Sequence, residues 1–445
     1  GACLADDMGL GKTVQVLALL ESRRCRPDEH RPSLIVMPKS LLFNWQAEAA
    51  RFAPQLRLVI HAGSTRQCRP DAFAAVDLVL TTYGTLRNDA IKLAKVHFDY
   101  CILDESQAIK NRDSATARAA RVIKANHRLV MTGTPMENHL GELFSQLDFL
   151  NPGLVGAKLP GGPTVTGGNL APEALQRLRQ GVRPFILRRT KQQVAKDLPP
   201  KSEQVIWCDM DEQQRREYDE LKEFYRQALL AKDEKDSSKT TSAATGSIDA
   251  LAALLRLRQA ACHPALLDDK RLDEGSAKLD LVEERLLTLI DAGHKTLVFS
   301  QFTSFLRVVQ RRLVSNDIDF CYLDGQTKDR AGLVNSFQND PAKQVFLISL
   351  KAGGVGLNLT AADYVFLLDP WWNPAVEAQA IDRAYRIGQT LPVFAYRVVT
   401  RDTVEEKVLK LQEQKRRLAN AILGKDAADS IEKRLTHDDL RFLLS

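Results

Sequence analysis

The chain has 445 residues, 44% of them hydrophobic and 27% charged, with a formal net charge of +6. This length exceeds what one hydrophobic core serves and indicates two or three globular domains, while the absence of any long apolar stretch in the sequence argues against a membrane segment. The small charge excess permits nucleic-acid binding without arguing for it, and the seven cysteines, which form no C-x-x-C pair, indicate a reducing compartment without structural zinc.

The first motif is a glycine-rich turn at residues 6–13, Asp6-Asp7-Met8-Gly9-Leu10-Gly11-Lys12-Thr13. Glycines let backbone N–H groups close around phosphate oxygens, a lysine adds charge at the β- and γ-phosphates, and the threonine hydroxyl is a Mg²⁺ ligand. Apolar residues 14–20 predict a helix whose amino end faces the phosphates. Because the common pattern has Gly where this chain has Asp6, the turn alone leaves an ordinary strand-to-helix connection as the alternative.

Such a loop normally follows a buried strand, and only five residues precede Asp6. We therefore expect the chain to be part of a longer protein. Up to residue 150, short apolar runs alternate with helical segments and predict parallel strands at residues 34–37, 58–60, 78–81, 100–103 and 129–131.

Asp104 and Glu105 follow one of these predicted strands directly. Ligands bind at the carboxyl ends of parallel strands, so Asp104 is placed to hold Mg²⁺ through water and Glu105 to orient and deprotonate an attacking water. A solvated acidic pair is the alternative. The Gly-Lys-Thr turn upstream favours a Walker B site.

The middle of the chain changes character. Pro and Gly pairs between residues 151 and 184 predict irregular chain, and Arg188, Arg189 and Lys191 then either follow a nucleic-acid backbone or lie on a solvated helix face. Residues 201–277 are predicted to form a helical insertion. Its Ser/Thr/Ala/Gly-rich part, residues 236–247, is predicted to be a mobile loop where proteases cut first.

A second alternating segment begins near Lys278, with predicted strands at residues 296–299, 320–323, 345–348, 364–368 and 393–398. The predicted fold class is therefore α/β, with two RecA-like parallel-sheet lobes in tandem and a cleft between them. The predicted domains are lobe 1 at residues 1–200, the insertion at 201–277, lobe 2 at 278–400 and C-terminal brace helices at 401–445.

Lobe 2 lacks a phosphate loop, so we expect it to contribute other groups. Arg383 and Arg386 lie three apart, as on one helical face, and could act as arginine fingers; a surface pair with salt bridges is the alternative. The glycine-rich residues 349–359 either approach a phosphate closely or form a tight turn. Trp371 and Trp372 either pack in the fold or stack on bases.

Taken together and in order, these motifs resemble those of the Swi/Snf-type ATPases of helicase superfamily two. Residues 6–13, 34–52, 81–86, 104–111, 132–135, Gln301, 349–360 and 379–389 are similar to that family's motifs one, one-a, one-b, two, three, four, five and six. The family's own motif one tolerates an acid where Asp6 stands. The resemblance implies a DNA-stimulated ATPase that moves along duplex DNA, usually without separating its strands, and remodels protein–DNA complexes.

The resemblance also implies roles for individual residues, with ATP and Mg²⁺ as cofactors. The catalytic residues are Lys12, Glu105, Arg383 and Arg386. The ATP-binding residues are Asp6, Met8, Gly9, Leu10, Gly11, Lys12, Thr13, Gly354, Arg383 and Arg386, and the Mg²⁺ site is Thr13 with Asp104. The residues that contact DNA or couple it to the cleft are Lys39, Thr81, Thr132, Thr134, Arg188, Lys191, Gln301, Ser349, Lys351, Gly353, Trp371 and Trp372.

The sequence departs from the family pattern in four places. Gln107 and Tyr385 stand where His is frequent, residues 158–168 are shorter than expected, and the adenine-reading segment upstream of motif one is absent. We therefore expect weak ATP hydrolysis by these 445 residues alone.

Two other functions stay open: a strand-separating DNA or RNA helicase, and a nucleotide-binding scaffold with little turnover. The expected partners are double-stranded DNA and a DNA-bound protein, with a monomeric chain and no membrane. The Ala/Arg/Leu-rich composition favours a bacterial protein. We expect the protein to be cytoplasmic and nucleoid-associated if it is bacterial, and nuclear if it is eukaryotic.

Overall fold

The computed structural model describes residues 1–24, 31–63, 66, 73, 75–133, 140–154, 180–236, 243–353 and 357–423. The chain divides into two compact units, the first from Gly1 to Asp197 and the second from Leu198 to Arg416, with the residues from Arg417 onward divided between them. Across the described ranges, none of the helices combines the length and apolarity needed to cross a bilayer.

In the part of the first unit that the structure describes there are seven strands: β1 (Ala2–Leu4), β2 (Ser33–Met37), β3 (Leu58–His61), β4 (Leu78–Thr82), β5 (His97–Asp104), β6 (Lys124–Met131) and β7 (Ile186–Leu187). They form one parallel sheet in the order β3-β4-β2-β5-β6-β1-β7. All five strands predicted here are confirmed. β1 and β7 were not predicted, because runs of three and two residues show no periodicity of their own.

Six helices of this unit are described: α1 (Lys12–Arg24), α2 (Leu42–Phe52), α3 (Tyr83–Leu93), α4 (Ala115–Arg121), α5 (Leu140–Leu150) and α6 (Lys191–Val194). Every residue of β2 and β4 is buried. Their continuous apolar runs reflect a sheet covered on both faces, as parallel sheets are.

Among its described residues, the second unit has six strands: β8 (Lys201–Cys208), β9 (Thr296–Ser300), β10 (Phe320–Leu323), β11 (Val345–Ser349), β12 (Tyr364–Leu367) and β13 (Val393–Thr400). They form a parallel sheet in the order β10-β11-β9-β12-β13-β8. The five predicted strands are confirmed, and two parallel α/β sheets in succession confirm the predicted fold class.

The prediction that residues 201–277 are a helical insertion is wrong at its start. Residues 201–208 form β8, an edge strand of the second sheet that pairs with β13 along its whole length. Most of β8 is exposed or only partly buried, and its first four residues, Lys-Ser-Glu-Gln, are polar. Its last four residues are apolar, but so short a run behind four polar residues does not distinguish a strand from part of a helix.

The helices of the second unit are α7 (Glu212–Asp236), α8 (Ala243–Cys262), α9 (Ala277–Asp291), α10 (Thr303–Ser315), α11 (Arg330–Asn339), α12 (Leu350–Gly353) and α13 (Pro374–Ile381), and α14 (Val404–Leu423) begins there. Tyr218 of α7 and Leu254 of α8 pack against Val404 and Val408 of α14.

The predicted mobile loop, residues 236–247, is corrected in part, because residues 243–247 are helical. Residues 237–242 lie outside the described part of the chain.

Candidate nucleotide-binding site

The predicted phosphate loop connects β1 to α1. Gly9 and Gly11 have φ angles of +81° and +73°, in the left-handed region that side chains with a Cβ rarely adopt. α1 begins at Lys12, so the amino end of a 13-residue helix opens directly onto the loop. Its unpaired N–H groups and positive dipole end make this an anion site, with Thr13 in its first turn.

Lys12 lies between this loop and the acids at the end of β5. Its Nζ donates hydrogen bonds to the backbone carbonyls of Asp6 at 2.7 Å and Asp7 at 3.2 Å. Burial lowers the pKa of Lys12, and the nearby charges of Glu105 and Asp104 oppose that shift. The structure therefore brings the predicted lysine and both predicted acids together at one edge of the sheet.

Asp104 is held firmly at the end of β5 and is only 7% exposed. Its Oδ2 accepts a hydrogen bond from the indole of Trp45 at 2.8 Å, and its Oδ1 accepts one from the backbone N–H of Glu105 at 2.9 Å. Its backbone carbonyl accepts a third from the Tyr83 hydroxyl at 2.7 Å. Burial raises the pKa of Asp104, whereas the Trp45 hydrogen bond and the charge of Lys12 lower it.

Glu105 has a left-handed backbone, with φ of +47°, which is unusual for a residue other than glycine. Such conformations persist where the surrounding structure fixes them and often mark functional positions. The Nε2 of Gln107 donates a 3.0 Å hydrogen bond to Oε2 of Glu105. Gln107, which departs from the family pattern, thus orients the acid that is predicted to be the base.

The donor set fits the predicted Mg²⁺. Each oxygen of Asp104 accepts one hydrogen bond from the protein and keeps a lone pair for a metal-bound water. In the described part of the chain, no three His, Cys, Asp or Glu side chains cluster into a metal cage. Mg²⁺ usually keeps several waters and binds one or two carboxylates together with substrate phosphates, an arrangement that Thr13 and Asp104 can provide.

The role of Asp6 in ATP binding stays a prediction, and its side chain contacts other residues of this unit. It is fully buried, and its two carboxylate oxygens accept hydrogen bonds from Arg189 and Gln15. The predicted ATP contact Met8 packs against Gly133 of motif three, where an added Cβ would lie 2.7 Å from its Cγ. Leu10 uses its carbonyl to accept a 3.1 Å hydrogen bond from Gln15.

Two residues predicted in the first unit to contact DNA or couple it to the cleft are buried. Thr81 is fully buried and donates its hydroxyl to the carbonyl of His61 at 2.7 Å, and Lys191 is 4% exposed at the start of α6. Their burial favours the coupling alternative over direct contact, and their roles stay predictions.

The remaining predicted DNA residues of this unit have different exposures. Thr132 is buried, and its N–H donates to the carbonyl of Leu4 at 3.1 Å. Lys39 is exposed and Arg188 is half-buried, so their roles stay predictions. Thr134 lies outside the described residues.

Trp371 and Trp372 pack against a buried arginine, which fits the packing alternative, while their role in DNA binding or coupling stays a prediction. The guanidinium of Arg258, 2% exposed, lies 5.5 Å and 5.1 Å from their ring centroids. It also donates to the carbonyl of Pro370 at 2.5 Å and lies 3.6 Å from the carboxylate of Asp369. Both indoles therefore lie against a buried cation, an arrangement in which cation–π attraction is strong.

The other predicted residues of the second unit lie near strand ends. The backbone N–H of Gln301 donates to Asp369 at 3.2 Å, and the hydroxyl of Ser349 accepts from the N–H of Ala352 at 3.2 Å. Lys351 is exposed and Gly353 ends α12. Gly354 lies outside the described residues. The DNA roles of these residues stay predictions.

The sequence pattern predicts that Arg383 and Arg386 lie on one helical face, and this prediction is wrong. α13 ends at Ile381, and both arginines lie in the turns that follow. Arg383 is 5% exposed, and Arg386 donates to the carbonyl of Leu357 at 3.3 Å. Their contact with a nucleotide stays a prediction.

Sequence reasoning missed three contributors to the site. Trp45 was noted only as part of a motif, Gln107 only as a departure from the family pattern, and Arg189 only as a basic residue. The contacts of Trp45 with Asp104 and of Arg189 with Asp6 form across the fold, so no local pattern shows them, whereas Gln107 lies two positions from Glu105 and its proximity could have been read from the sequence.

A model of the SNF2-related domain matches residues 1–266, more than half of the chain, and a model of the helicase conserved C-terminal domain matches residues 277–388. The chain belongs to the SNF2-related family. The predicted resemblance to Swi/Snf-type ATPases is thereby confirmed.

This SNF2-related chain is similar to several curated proteins. An uncharacterized ATP-dependent helicase of Mycoplasma genitalium is 35% identical over 99% of this chain and 42% of its own length. The putative ATP-dependent helicase/translocase YwqA of Bacillus subtilis is 37% identical over 95% of this chain and 46% of its own length. The chain spans less than half the length of either relative.

Relatives of this SNF2-related chain extend to eukaryotes and to solved structures. The human SWI/SNF-related matrix-associated actin-dependent regulator of chromatin subfamily A member 1 is 34% identical over 94% of this chain and 41% of its own length. The Sulfolobus solfataricus SWI2/SNF2 ATPase core in complex with dsDNA is 33% identical, with 95% of this chain and 88% of that chain covered at a TM-score of 0.44.

Proposed function

We propose that this chain is the motor of an ATP-dependent translocase that moves along double-stranded DNA and remodels protein–DNA complexes. The observation that carries the proposal is the meeting of Lys12 with Asp104 and Glu105 beside the amino end of α1. Anion binding, Mg²⁺ binding and activation of water require these groups together. Relatives named as ATP-dependent helicases and translocases support the same activity.

In this proposal, Lys12 neutralises the β- and γ-phosphates and Thr13 and Asp104 hold Mg²⁺, which supplies charge neutralisation during phosphoryl transfer. Glu105 accepts a proton from the attacking water, and Gln107 keeps its carboxylate oriented. Arg383 and Arg386 keep the role that the family resemblance gives them, contact with the γ-phosphate, so Arg386→Ala should lower turnover about 10³-fold or more.

Support for duplex DNA as the track is indirect. It comes from membership of the SNF2-related family and from the helicase/translocase among the relatives. Contacts to phosphates should supply most of the affinity, so binding should weaken steeply with added salt and show little sequence preference. Salt-insensitive or strongly sequence-selective binding would contradict this part.

The ATPase rate should be measured with no nucleic acid, single-stranded DNA, duplex DNA and RNA, with Lys12→Ala as the inactive control. Duplex DNA should stimulate most. A triplex-displacement assay beside a duplex-unwinding assay then separates movement from strand separation. Triplex displacement without unwinding supports the proposal, while unwinding, or stimulation by RNA alone, supports a helicase instead.

A further inference from the structure

Arg189 and Asp6 form an ion pair at the first residue of the phosphate loop, in which the aspartate side chain is fully buried and the arginine side chain is 39% exposed. The Nη2 of Arg189 lies 2.5 Å from Oδ2 of Asp6, and its Nε lies 3.1 Å from both carboxylate oxygens. The backbone N–H of Arg189 donates to Oδ1 at 2.9 Å. Gln15 completes the cluster by accepting from the same Nη2 at 2.6 Å.

Backbone hydrogen bonds extend this contact on both sides. The N–H of Ala5 donates to the carbonyl of Leu187 at 2.7 Å, and the N–H of Asp7 donates to the carbonyl of Arg189 at 3.0 Å. The N–H of Lys191 donates to Oδ2 of Asp7 at 3.0 Å. The parallel pairing of β1 with β7 thus continues past both strands and fixes the start of the loop against residues 187–191.

Asp6 also touches the residue that is proposed to bind the phosphates. Its backbone carbonyl accepts the 2.7 Å hydrogen bond from Nζ of Lys12, while its side chain faces Arg189. A shift of Asp6 would therefore move the acceptor that holds the lysine. This one residue connects the guanidinium on one side with the ammonium on the other.

The chemistry of the pair suits a fixed anchor. Asp6 is 0% exposed, and a buried carboxylate is tolerated only when it is paired and hydrogen-bonded. The planar guanidinium fork meets a carboxylate at two points, which fixes orientation as well as distance. Most phosphate loops have Gly at the position of Asp6, and Gly cannot form such an anchor.

We propose that Arg189 is a positioning residue for the phosphate loop. Acting through Asp6, it holds the loop and Lys12 in the shape that receives the nucleotide's phosphates, and it makes no contact with the nucleotide itself. This inference rests on the proposed use of ATP. A loop held in its binding shape beforehand loses less entropy on binding, so the pair raises affinity for the nucleotide.

The test is a double-mutant cycle with Asp6→Asn, Arg189→Gln and both changes together. The dissociation constant of a fluorescent ATP analogue with Mg²⁺ is measured, beside KM and kcat for ATP. Each single change should weaken binding roughly tenfold or more, and the double variant should be no worse than the weaker-binding single, because the pair is lost only once. KM should rise much more than kcat falls, since Arg189 does not touch the reacting atoms.

Arg189→Lys retains the charge without the fork and should bind the analogue with intermediate affinity, which a general loss of folding would not produce. It also carries the test if Arg189→Gln does not fold, as judged by circular dichroism. The matched control is Arg57→Ala, which removes another two-point pair in the same unit, with Asp77 at 3.0 Å. Asp77 directly precedes the amino end of β4, whereas the phosphate loop follows the carboxyl end of the parallel strand β1. The affinity of Arg57→Ala for the ATP analogue should therefore not change.

Strictly additive effects, or unchanged affinity in the Arg189 variants, would overturn the positioning role. A fall in kcat with constant KM would do the same, because it would place Arg189 in the chemical step. If the unmutated chain itself bound no ATP analogue, the proposed function would fail along with the inference. Tight binding by the unmutated chain and by all variants would overturn the inference alone.

Discussion

The indole N–H of Trp45 donates a 2.8 Å hydrogen bond to Oδ2 of Asp104. Trp45 lies on α2 and is 1% exposed, so the bond is shielded from water. It opposes the burial that raises the pKa of Asp104. A carboxylate that is proposed to hold hydrated Mg²⁺ must stay ionised, and here one indole donor helps to keep it so.

Changing Trp45→Phe should weaken Mg²⁺ use. Without the donor, the pKa of Asp104 rises further, so the ionised form is lost at a higher pH as the solution is acidified. The Mg²⁺ concentration for half-maximal ATP hydrolysis should increase about tenfold, in line with a hydrogen bond to a charged group, and more near pH 6 than near pH 8. Trp207→Phe, on the exposed edge strand β8, is the control, and coincident Mg²⁺ curves for Trp45→Phe and the parent would refute the role.

Changing Glu105→Gln should separate binding from turnover. The amide keeps the size of the side chain but cannot accept a proton from water, so turnover should fall by about 10²–10⁴-fold while the affinity for ATP stays the same. Steady-state ATP hydrolysis and equilibrium binding measure the two effects. Asp113→Asn, an exposed acid of the same unit, should change neither. Full turnover by Glu105→Gln would remove Glu105 as the base.

Changing Gln107→His should add a pH dependence that the parent lacks. The amide of Gln107 has no titrating proton, whereas the pKa of a histidine is ordinarily about 6.5 and would be raised here by the neighbouring carboxylate of Glu105. Once protonated, the imidazolium lowers the pKa of Glu105 and weakens it as a base, so kcat should fall as the pH decreases from about 8 to about 6. Profiles of kcat against pH that coincide for parent and variant would show that Gln107 does not act through Glu105.

Changing Lys278→Met should destabilise the second unit. Lys278 and Glu405 have side chains that are 1% and 0% exposed, and Nζ lies 2.6 Å from both carboxylate oxygens. Loss of the lysine leaves a buried, unpaired carboxylate, which costs about 3–5 kcal/mol of unfolding free energy. Urea unfolding followed by circular dichroism measures the change.

Two further variants test whether the loss of unfolding free energy comes from the buried, unpaired charge. The double variant Lys278→Met/Glu405→Gln should recover part of the stability, because no buried charge remains. Lys410→Met breaks an exposed pair with Glu406 on the same helix, with 3.8 Å between the charged atoms, and should cost less than about 0.5 kcal/mol. Equal losses for Lys278→Met and Lys410→Met would show that burial does not decide the cost.

The amino-acid sequence by itself determined the features that depend on neighbouring residues. Apolar runs predicted ten of the strands. The signal is clearest in strands such as β2 and β4, which are buried along their whole length and must therefore be apolar on both faces. The glycines of the phosphate loop and the position of Asp104 at the end of β5 follow from local chemistry in the same way. Motifs of this kind also sufficed to indicate the family.

Only the tertiary structure decided which side chains meet. Asp6 and Arg189 are 183 positions apart, and Trp45 and Asp104 are 59 apart. The short apolar run of β8 did not distinguish a strand from a helix until β13 provided its partner, and neighbouring residues did not show that Trp371 and Trp372 both contact Arg258. Periodicity records which face of an element is buried, but the partner on that face is selected by packing across the whole fold.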